Sequence, residues 1–421
     1  MEYLKMPETG LAEIEQNLTG AVCEIIQKIR ESGRIALTQF SRKFDNYQGS
    51  MVIGEKELSY ACETMPEDTR SSILSSIDHV RDFHRRQRKL FNDFIVQPGK
   101  GISLGMRFTA VERAGIYVPG GRYPLPSSAI MTVIPAQEAG VSEIYVCSPP
   151  TPEGYVHSLV LGTLYILGIK EVFVLGGAQA IAAMAMGISP VPKCDIIAGP
   201  GNAYVTEAKR QLVGTVGIDS LAGPSEVLII ADGTADIMAV ALDLIAQAEH
   251  DPLSRSVLFA TDKELAIKIQ ELVESLIPSF PTGNIISLSW QNNGTIICGT
   301  LNEAIEFSNQ YAPEHLQIIT HEPERVLSRC QSFGAAFLGP YCSVPFGDYI
   351  AGTNHVLPTN RSARFSSGLW TGTFIKAMTY VQLEQDKASE LAYEGIPLAE
   401  AEGLLAHAQS MRYRIKMRGE A

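Results

Sequence analysis

The chain has 421 residues, of which 45% are hydrophobic and 19% are charged, a balance typical of a globular protein with a substantial core. At this length roughly two to four domains are expected. The formal net charge of −12 argues against a nucleic-acid partner, because phosphate backbones are bound through lysine and arginine.

Three further features limit the possible partners and location. The basic run RDFHRRQRK (81–89) is interpreted as the outer face of a surface helix, with polyanion binding as the alternative. The seven cysteines are scattered without a C-x-x-C pair, which predicts reduced thiols and a cytoplasmic protein. No signal-peptide pattern begins the chain and no apolar run is long enough to span a bilayer, so we expect no membrane association.

The first part of the chain, residues 9–95, is predicted to be helical. Apolar residues between positions 21 and 44 recur close to the helical period, which is interrupted near Gly33. A second helix is predicted over 66–95. These helices are expected to pack on the second of the two α/β units that follow.

From residue 114 the pattern changes to short apolar strands that alternate with helices. The first series has strands at 114–121, 143–149, 171–177 and 194–202, separated by helices at 128–140, 155–168 and 178–187. The second has strands at 226–232, 256–262, 295–298, 316–320 and 335–339, separated by helices at 235–249, 263–275, 301–309 and 322–333. Such alternation predicts parallel sheets covered on both faces. The predicted fold class is therefore α/β, with two Rossmann-like, incomplete doubly wound parallel-sheet units, N-terminal helices and a helical C-terminal tail.

This pattern predicts the domain boundaries. They are an N-terminal arm at 1–20, a larger α/β domain made of 21–114 and 227–368, a second α/β domain at 115–226, and a helical tail at 369–421. The tail is expected to pack on another subunit.

Four glycine-rich segments adjoin the predicted strands: YVPGGRYP, LGGAQA, AGPGNAY and LAGPSE. In open parallel sheets ligands bind outside the carboxyl ends of strands, where glycines permit close approach and helix N-termini favour anions. The alternative is that each segment is only a tight turn that needs positive φ. Together they favour a nucleotide or substrate cleft, although no G-x-G-x-x-G motif supports a standard dinucleotide site.

Histidines mark a candidate metal-assisted active site. Four of the eight lie in short segments with other candidate site residues: His250 in AQAEHDP, His315 in YAPEH, His355 in GDYIAGTNHVLP and His407 in AEGLLAH. Gln247 and His250 are three residues apart, which places both on one helical face. Taken alone, this pair is more often a helix cap or a surface pair.

A set of Gln247, His250, Asp348 and His407 would suit Zn²⁺, although spacing alone cannot join these residues. Two imidazoles, an amide and a carboxylate would leave the bound ion with a net positive charge and good Lewis acidity. Taken alone, Asp348 is more often a turn residue and His407 a solvated side chain. Glu402 precedes His407 by five residues, so both reach one site only if Glu402 begins a helix, which Gly403 would permit.

Glu314 and His315 follow a proline and immediately precede a predicted strand. A histidine with an ordinary pKa near 6.5 suits proton abstraction at neutral pH, and a neighbouring carboxylate could activate water. The alternative is an incidental ion pair in a surface turn.

These segments together resemble the histidinol dehydrogenase family, from about residue 20 to residue 415. The motifs that carry the resemblance are YVPGGR, GGAQAIAA, GPGNAYVTEAKR, GIDSLAGPSE, AQAEHDP, YAPEHL, GDYIAGTNHVLPT and EGLLAH, in the family's order. The family's enzymes use zinc and NAD to oxidise an amino alcohol twice, through an aldehyde, to a carboxylate. The resemblance therefore implies the last step of histidine biosynthesis.

The resemblance also implies roles for individual residues. The zinc ligands would be Gln247, His250, Asp348 and His407, the last supplied by the partner subunit of a homodimer. The general base would be His315, and Glu314 would activate water. Substrate contacts are implied for Ser225, His355 and Glu402, together with His315 and the four zinc ligands. NAD contacts are implied for Tyr117, Gln179 and Asn202, which makes 115–226 the NAD side of the protein.

Two stretches depart from the usual family pattern. The stretch YVPGGRYPLPSS carries Tyr123 and Leu125, and the stretch SSGLWTGTFIKAMTY carries Trp370 and Tyr380. Both stretches resemble relatives that oxidise other primary alcohols, such as sulfopropanediol dehydrogenase, whereas GDYIAGTNHVLPT keeps the biosynthetic form. The alternative function is therefore oxidation of another small polar primary alcohol by the same residues.

Overall fold

The computed structural model describes residues 1–7, 15–120 and 123–416. The chain divides into two compact units. Unit 1 comprises Met1–Arg86 and Val111–Phe374, and unit 2 comprises Gln87–Ala110 and Ile375–Ala421. The predicted domain boundaries remain a prediction.

The strands, in chain order, are β1 (Glu2–Lys5), β2 (Val52–Ile53), β3 (Phe94–Gly99), β4 (Ile102–Ala110), β5 (Arg113–Tyr117), β6 (Glu143–Ser148), β7 (Val172–Val174), β8 (Ile196–Ala198), β9 (Gly217–Ile218), β10 (Glu226–Ala231), β11 (Arg255–Ala260), β12 (Thr295–Cys298), β13 (His315–Ile319), β14 (Ala335–Leu338) and β15 (Ile375–Leu383).

The α-helices are α1 (Glu15–Ser32), α2 (Arg34–Asp45), α3 (Glu55–Glu63), α4 (Glu67–Arg88), α5 (Pro126–Ala139), α6 (Ser158–Ile166), α7 (Gly177–Met186), α8 (Ala203–Leu212), α9 (Ile237–Glu249), α10 (Lys263–Leu276), α11 (Gly283–Asn293), α12 (Leu301–Tyr311), α13 (Pro323–Leu327), α14 (Val344–Tyr349), α15 (Gln385–Ala401) and α16 (Leu405–Lys416). Short 3₁₀ helices occur at Ile277–Ser279, Ser362–Arg364 and Thr371–Phe374.

Unit 1 contains two six-stranded sheets of the same design. Sheet one has the order β2-β7-β6-β5-β8-β9, and sheet two has the order β1-β12-β11-β10-β13-β14. All neighbouring strands are parallel except β2 and β1, which pair antiparallel at the edges. Within each sheet the first parallel strand lies between later ones, which is the strand order of a doubly wound fold. The predicted fold class is therefore confirmed.

Sheet two is buried on both faces. Successive side chains of its central strand, β10, point alternately into two hydrophobic cores. The side chains of Val227, Ile229 and Ala231 pack with α9, α10 and α11. Those of Leu228 and Ile230 pack on the other face with α12 and α13. All six residues of β10 are buried, as expected for a strand with helices on both sides.

Sheet one buries one face against helices from the first part of the chain. Val22, Ile29 and Leu37 from α1 and α2 join a core that includes Ile181 of α7 and Leu212 of α8. The two N-terminal helices thus complete the layer that covers sheet one, so the prediction that they pack on the second α/β unit was wrong for α1 and α2.

Unit 2 contains a three-stranded antiparallel sheet with the order β15-β4-β3, and helices α15 and α16. Two predictions were wrong here: the helix over 66–95 ends at Arg88, and Ile375–Leu383 of the predicted helical tail is strand β15. The pairing of β15 with β4, such as Ile375 with Ala110, joins segments far apart in the chain, so no local pattern shows it.

Within the predicted N-terminal helical region, the interruption near Gly33 is confirmed, because that residue has φ 51° between α1 and α2. The edge strand β2 was not predicted. The helical prediction for 9–14 and for 417–421 falls outside the described residues.

The basic run 81–89 lies at the end of α4, and three of its four arginines form ion pairs, two of them with the same glutamate. Arg81 and Arg85 lie 3.6 and 3.4 Å from Glu138, and Arg86 lies 2.9 Å from Asp82. The surface-helix interpretation therefore fits better than polyanion binding. None of the helices in the described part of the chain combines the length and apolar character needed to cross a membrane.

Candidate active site

The three predicted NAD residues belong to the sheet one side. Tyr117 ends a strand, Asn202 follows another strand, and Gln179 lies in the first turn of helix α7. Tyr117 ends β5, and its buried hydroxyl accepts a hydrogen bond from the N–H of Gly177, 3.1 Å away. Burial raises the pKa of Tyr117, so the phenol is neutral at pH 7. Asn202 is the N-cap of α8, and its Oδ1 accepts the N–H groups of Tyr204 and Val205 at 3.0 and 3.2 Å.

Gln179, in α7, is oriented by a carboxylate from a distant helix. Its Nε2 donates to Oδ2 of Asp45 at 3.1 Å, and Asp45 also accepts the N–H of Gly176. The carboxylate thus occupies the N-terminus of α7, where an anion would otherwise bind. Gln179 is buried, at 2% exposed, so this bond fixes the orientation of its amide. Nothing in the sequence pattern points to Asp45.

The AGPGN turn after β8 is held by a buried ion pair. Lys209 Nζ lies 2.6 Å from both Asp219 Oδ1 and the carbonyl oxygen of Gly199, and Asp219 Oδ2 accepts the N–H of Gly199 at 2.8 Å. Both side chains are almost fully buried. Gly199 has φ 120°, and a Cβ there would overlap the carbonyl oxygen of Tyr117, so no other residue fits.

The predicted acid–base residues stand at the amino end of β13 in sheet two. His315 is the first residue of the strand and is 3% exposed, and Glu314 precedes it at 4%. His315 Nδ1 lies 3.0 Å from the carbonyl oxygen of Glu226. Since a carbonyl oxygen only accepts, Nδ1 carries the proton and Nε2 has the free lone pair. Desolvation lowers the pKa of His315 to about 3, so the ring is neutral.

Glu314 is held by the first residue of the neighbouring strand β10 and by the residue before it. Its Oε2 accepts the N–H of Glu226 at 2.8 Å, and the hydroxyl of Ser225 also bonds to it. Burial raises the pKa of Glu314 well above its ordinary value. A carboxylate with a raised pKa is a stronger base towards water.

The predicted metal ligands that belong to unit 1 include two residues near the Glu314–His315 pair. His250, at the C-terminus of α9, has Nε2 4.0 Å from Oδ2 of Asp348, and Asp348 Oδ1 is 4.0 Å from Nε2 of His315. Desolvation raises the pKa of Asp348 to about 7. Asp348 lies in α14, whose N-cap is Ser343, so it is not the N-cap of that helix.

Two further predicted residues complete the unit 1 group. Gln247 is 2% exposed, and neither atom of its side-chain amide has a hydrogen-bond partner among the described residues. His355 Nδ1 donates to the backbone carbonyl of Asp348 at 3.0 Å, which leaves its Nε2 free, and desolvation lowers the pKa of His355 to about 4.

Glu402 and His407 belong to unit 2. Glu402 is the C-cap of α15 and not the start of a helix, and Gly403 follows with φ 76°. His407 lies in the first turn of α16, and both side chains are exposed.

The unit 1 residues fit a zinc ion by their chemistry. Two ligand atoms that are each about 2.0–2.2 Å from zinc are at most about 4.4 Å apart, and His250 and Asp348 meet that limit. The buried amide of Gln247 has no hydrogen-bond partner in the described part of the chain. Within the described ranges no group of three or more His, Cys, Asp or Glu side chains is placed to hold a metal ion.

Comparison with known proteins identifies the family. The chain matches the histidinol dehydrogenase family model over residues 10–415. A histidinol dehydrogenase from Methanocaldococcus jannaschii is 44% identical, over 99% of this chain and 96% of that protein. The chain belongs to the histidinol dehydrogenase family.

Two further family members agree with this assignment. A histidinol dehydrogenase from Parasynechococcus marenigrum is 41% identical, over 95% of this chain and 92% of that protein. The crystal structure of histidinol dehydrogenase from Elizabethkingia anophelis matches with a TM-score of 0.91 and 34% identity, covering 99% of this chain and 95% of that chain. The protein is therefore an oxidoreductase of the histidinol dehydrogenase type.

The structure also brings forward residues that sequence reasoning did not assign. Lys209 and Asp219 lie inside family motifs, GPGNAYVTEAKR and GIDSLAGPSE, and could have been noticed there. Glu226 contacts both Glu314 and His315, but it does so through its backbone, which no side-chain pattern reveals.

Proposed function

We propose that the protein is a zinc-dependent, NAD-linked histidinol dehydrogenase that oxidises L-histidinol through the aldehyde to L-histidine. The observation that carries the proposal is the buried pair Glu314–His315, with an unpartnered Nε2 on His315 and a carboxyl whose pKa is raised. Membership of the family supports the choice of substrate.

In the first oxidation, His315 Nε2 takes the proton of the substrate hydroxyl as the carbon loses a hydride. The hydrogen bond from Nδ1 to the Glu226 carbonyl keeps the basic nitrogen on the reacting side of the ring and stabilises the imidazolium that forms. When bound, NAD⁺ accepts the hydride in each oxidation, and zinc orients the substrate and polarises its oxygen.

In the second oxidation, Glu314 takes a proton from water as the water oxygen adds to the aldehyde carbon. The resulting hydrate then loses a proton and a hydride and gives the carboxylate. Overall, one alcohol, one water and two NAD⁺ yield one carboxylate, two NADH and three protons. Burial of both side chains keeps bulk water from the reacting atoms.

The remaining residues are assigned binding roles. Zinc would be held by Gln247, His250, Asp348 and His407, and substrate would also contact Ser225, His355 and Glu402. NAD would contact Tyr117, Gln179 and Asn202. These three residues already have polar atoms fixed within the chain, which prepares their positions for a ligand.

We include a homodimer in the proposal, with His407 supplied to the site of the partner subunit. Unit 2 supports this, because Val381, Tyr393, Leu398 and Leu405 are each about two-thirds exposed. A partner subunit would remove such exposed apolar side chains from water. All seven cysteines lie in described regions and are free thiols, which supports a cytoplasmic location.

The test is the stoichiometry of NADH formation. Full-length protein with zinc is given a limiting amount of L-histidinol and excess NAD⁺, and we expect two NADH per histidinol and formation of histidine. A yield of one NADH with released aldehyde would contradict the role of Glu314. Absence of NADH would refute histidinol as the substrate.

The alternative substrate is another small polar primary alcohol, such as a sulfopropanediol. Two of the four departures have structural explanations: Tyr380 covers Gly105 on the paired strand, and the ring of Trp370 covers Gly372. Tyr123 retains a buried hydroxyl without a partner among the described residues, which is the observation that favours the alternative. A panel of primary alcohols in the same assay decides between the two by their kcat/KM.

A further inference from the structure

Three adjacent parallel strands of sheet two begin with functional groups that contact one another. Glu226 starts β10, Arg255 starts β11 and His315 starts β13, with β10 in the middle. Arg255 pairs with Glu226 in the strand register, and His315 pairs with the next residue, Val227. The amino end of β10 is therefore in contact with the acid–base residues on one side and a cation on the other.

Glu226 uses its backbone to hold both acid–base residues. Its N–H donates to Glu314 Oε2 at 2.8 Å, and its carbonyl oxygen accepts from His315 Nδ1 at 3.0 Å. One peptide segment thus determines where the Glu314 carboxylate lies and which nitrogen of His315 is basic. A displacement of this segment would disturb both residues together.

The side chain of Glu226 is in turn held by two partly buried neighbours. Its Oε2 lies 3.3 Å from Nη1 of Arg255 and accepts a hydrogen bond from the hydroxyl of Tyr311 at 3.2 Å. The Glu226 side chain is 1% exposed and that of Arg255 is 17% exposed. Tyr311 is itself stacked on Phe307. Removing one partner of such a group leaves a buried charge uncompensated.

We propose that Glu226 is a positioning residue, which Arg255 and Tyr311 anchor so that its backbone holds the His315 ring as the Nδ1–H tautomer and orients the Glu314 carboxylate. This role rests on the proposed function of the Glu314–His315 pair. A misplacement of about 1 Å in a reacting group costs about 100-fold in rate. The Glu226 side chain therefore acts on the rate through the backbone, without touching substrate.

The kinetic test uses full-length, zinc-loaded protein. Glu226→Ala is expected to lower kcat about 100-fold, while KM for histidinol, KM for NAD⁺ and zinc content each change less than about threefold. Glu226→Gln keeps an oxygen for Tyr311 and Arg255 and is expected to recover most of that loss. Tyr311→Phe removes a single hydroxyl and is expected to lower kcat about fivefold. If Glu226→Ala fails to fold, the kcat of Tyr311→Phe tests the positioning role in its place.

A spectroscopic test needs no turnover. The ¹⁵N signals of histidine rings, with His315 assigned by His315→Asn, report which nitrogen carries the proton. We expect Nδ1 to be protonated in the parent protein and the two tautomers to mix in Glu226→Ala or Tyr311→Phe. Asp219→Asn is the matched control, because it breaks a buried ion pair in sheet one and should lower Tm without changing the His315 signals.

The outcomes separate this inference from the proposed function. If the parent protein makes no NADH from histidinol, the function is refuted, and the ¹⁵N signals still decide the positioning role. If Glu226→Ala or Tyr311→Phe folds with unchanged kcat and an unchanged His315 tautomer, the positioning role is overturned. A loss of kcat that only follows loss of zinc or of fold overturns it as well.

Discussion

The two sheets of unit 1 have the same strand order, but they place candidate functional residues at opposite edges. In sheet one, Tyr117 and Asn202 lie at or just after the carboxyl ends of β5 and β8, as the general rule for open parallel sheets predicts. In sheet two, Ser225, Glu226 and His315 lie at the amino ends of β10 and β13. A shared topology therefore does not determine which edge carries chemistry.

The two groups also differ in how their polar atoms are satisfied. The sheet one residues are bonded within the chain: Tyr117 to Gly177, Gln179 to Asp45, and Asn202 to the start of α8. In sheet two, the amide of Gln247 and Nε2 of His315 are buried without partners among the described residues. Buried polar atoms without partners cost free energy, so they mark the place where a metal or a reacting atom would satisfy them.

The largest expected effect comes from removing the free nitrogen in sheet two. His315→Asn is expected to lower kcat about 1,000-fold, because it removes the general base. His321→Asn, an exposed residue beyond the other end of β13, is the control and should keep normal turnover. Steady-state NADH kinetics measure both. Turnover by His315→Asn within about tenfold of the parent protein would assign the base to another residue.

The unpartnered amide of Gln247 gives the next prediction. Gln247→Ala is expected to weaken zinc binding about 10–100-fold, as measured by competition with a chromogenic chelator. Gln179→Ala is the cross-control, because it should raise KM for NAD⁺ and leave zinc content unchanged. If both variants lose zinc equally, the assignment of zinc binding to the sheet two side and of NAD binding to the sheet one side is wrong.

Substitution of Asp45 tests whether hydrogen bonds within the chain hold the proposed NAD-contact residues in position for binding. Asp45→Ala frees the Gln179 amide and leaves the N–H of Gly176 without its acceptor, so KM for NAD⁺ is expected to rise about tenfold. The kcat at saturating NAD⁺ should stay within about twofold. A fall in kcat with unchanged KM would show that Asp45 acts on the chemistry and not on binding.

The parallel sheets could be predicted from sequence because each strand and helix carries its own local pattern. The alternation of apolar runs and helices from residue 114 to 339 predicted four strands of sheet one and five of sheet two, but it missed the short parallel strand β9 and the helices α8 and α11. The edge strands could not be found in this way. β1 pairs with β12 through contacts such as Glu2 with Cys298, and its four residues show no alternation of their own. β3, β4 and β15 likewise depend on each other across the chain.

The site was predictable where side chains are distinctive and adjacent, as Glu314 and His315 are. The proximity of His250 and Asp348, almost 100 positions apart, came from family resemblance and not from spacing. Glu226 and Asp45 were missed for different physical reasons. Glu226 acts through its backbone, which every residue type possesses, and Asp45 reaches Gln179 across 134 positions from an otherwise ordinary amphipathic helix.

The smallest expected effect concerns the acid stability of the sheet one side. The guanidinium of Arg210 in α8 bonds to the carboxylate of Glu207 and lowers its pKa to about 2 from the ordinary 4.5. Because the folded pKa is below the unfolded one, this carboxylate stabilises the fold above pH 4.5, and the contribution is lost as the pH falls towards about 2.

Arg210 is half exposed, so Glu207→Gln should cost only about 0.5 kcal/mol of unfolding free energy at neutral pH. Thermal unfolding should show a Tm difference between the parent protein and Glu207→Gln that shrinks as the pH is lowered from 6 towards 3. The exposed Glu171→Gln should show no such trend, and a difference for Glu207→Gln that stays constant with pH would mean that the Arg210 contact does not stabilise the folded chain.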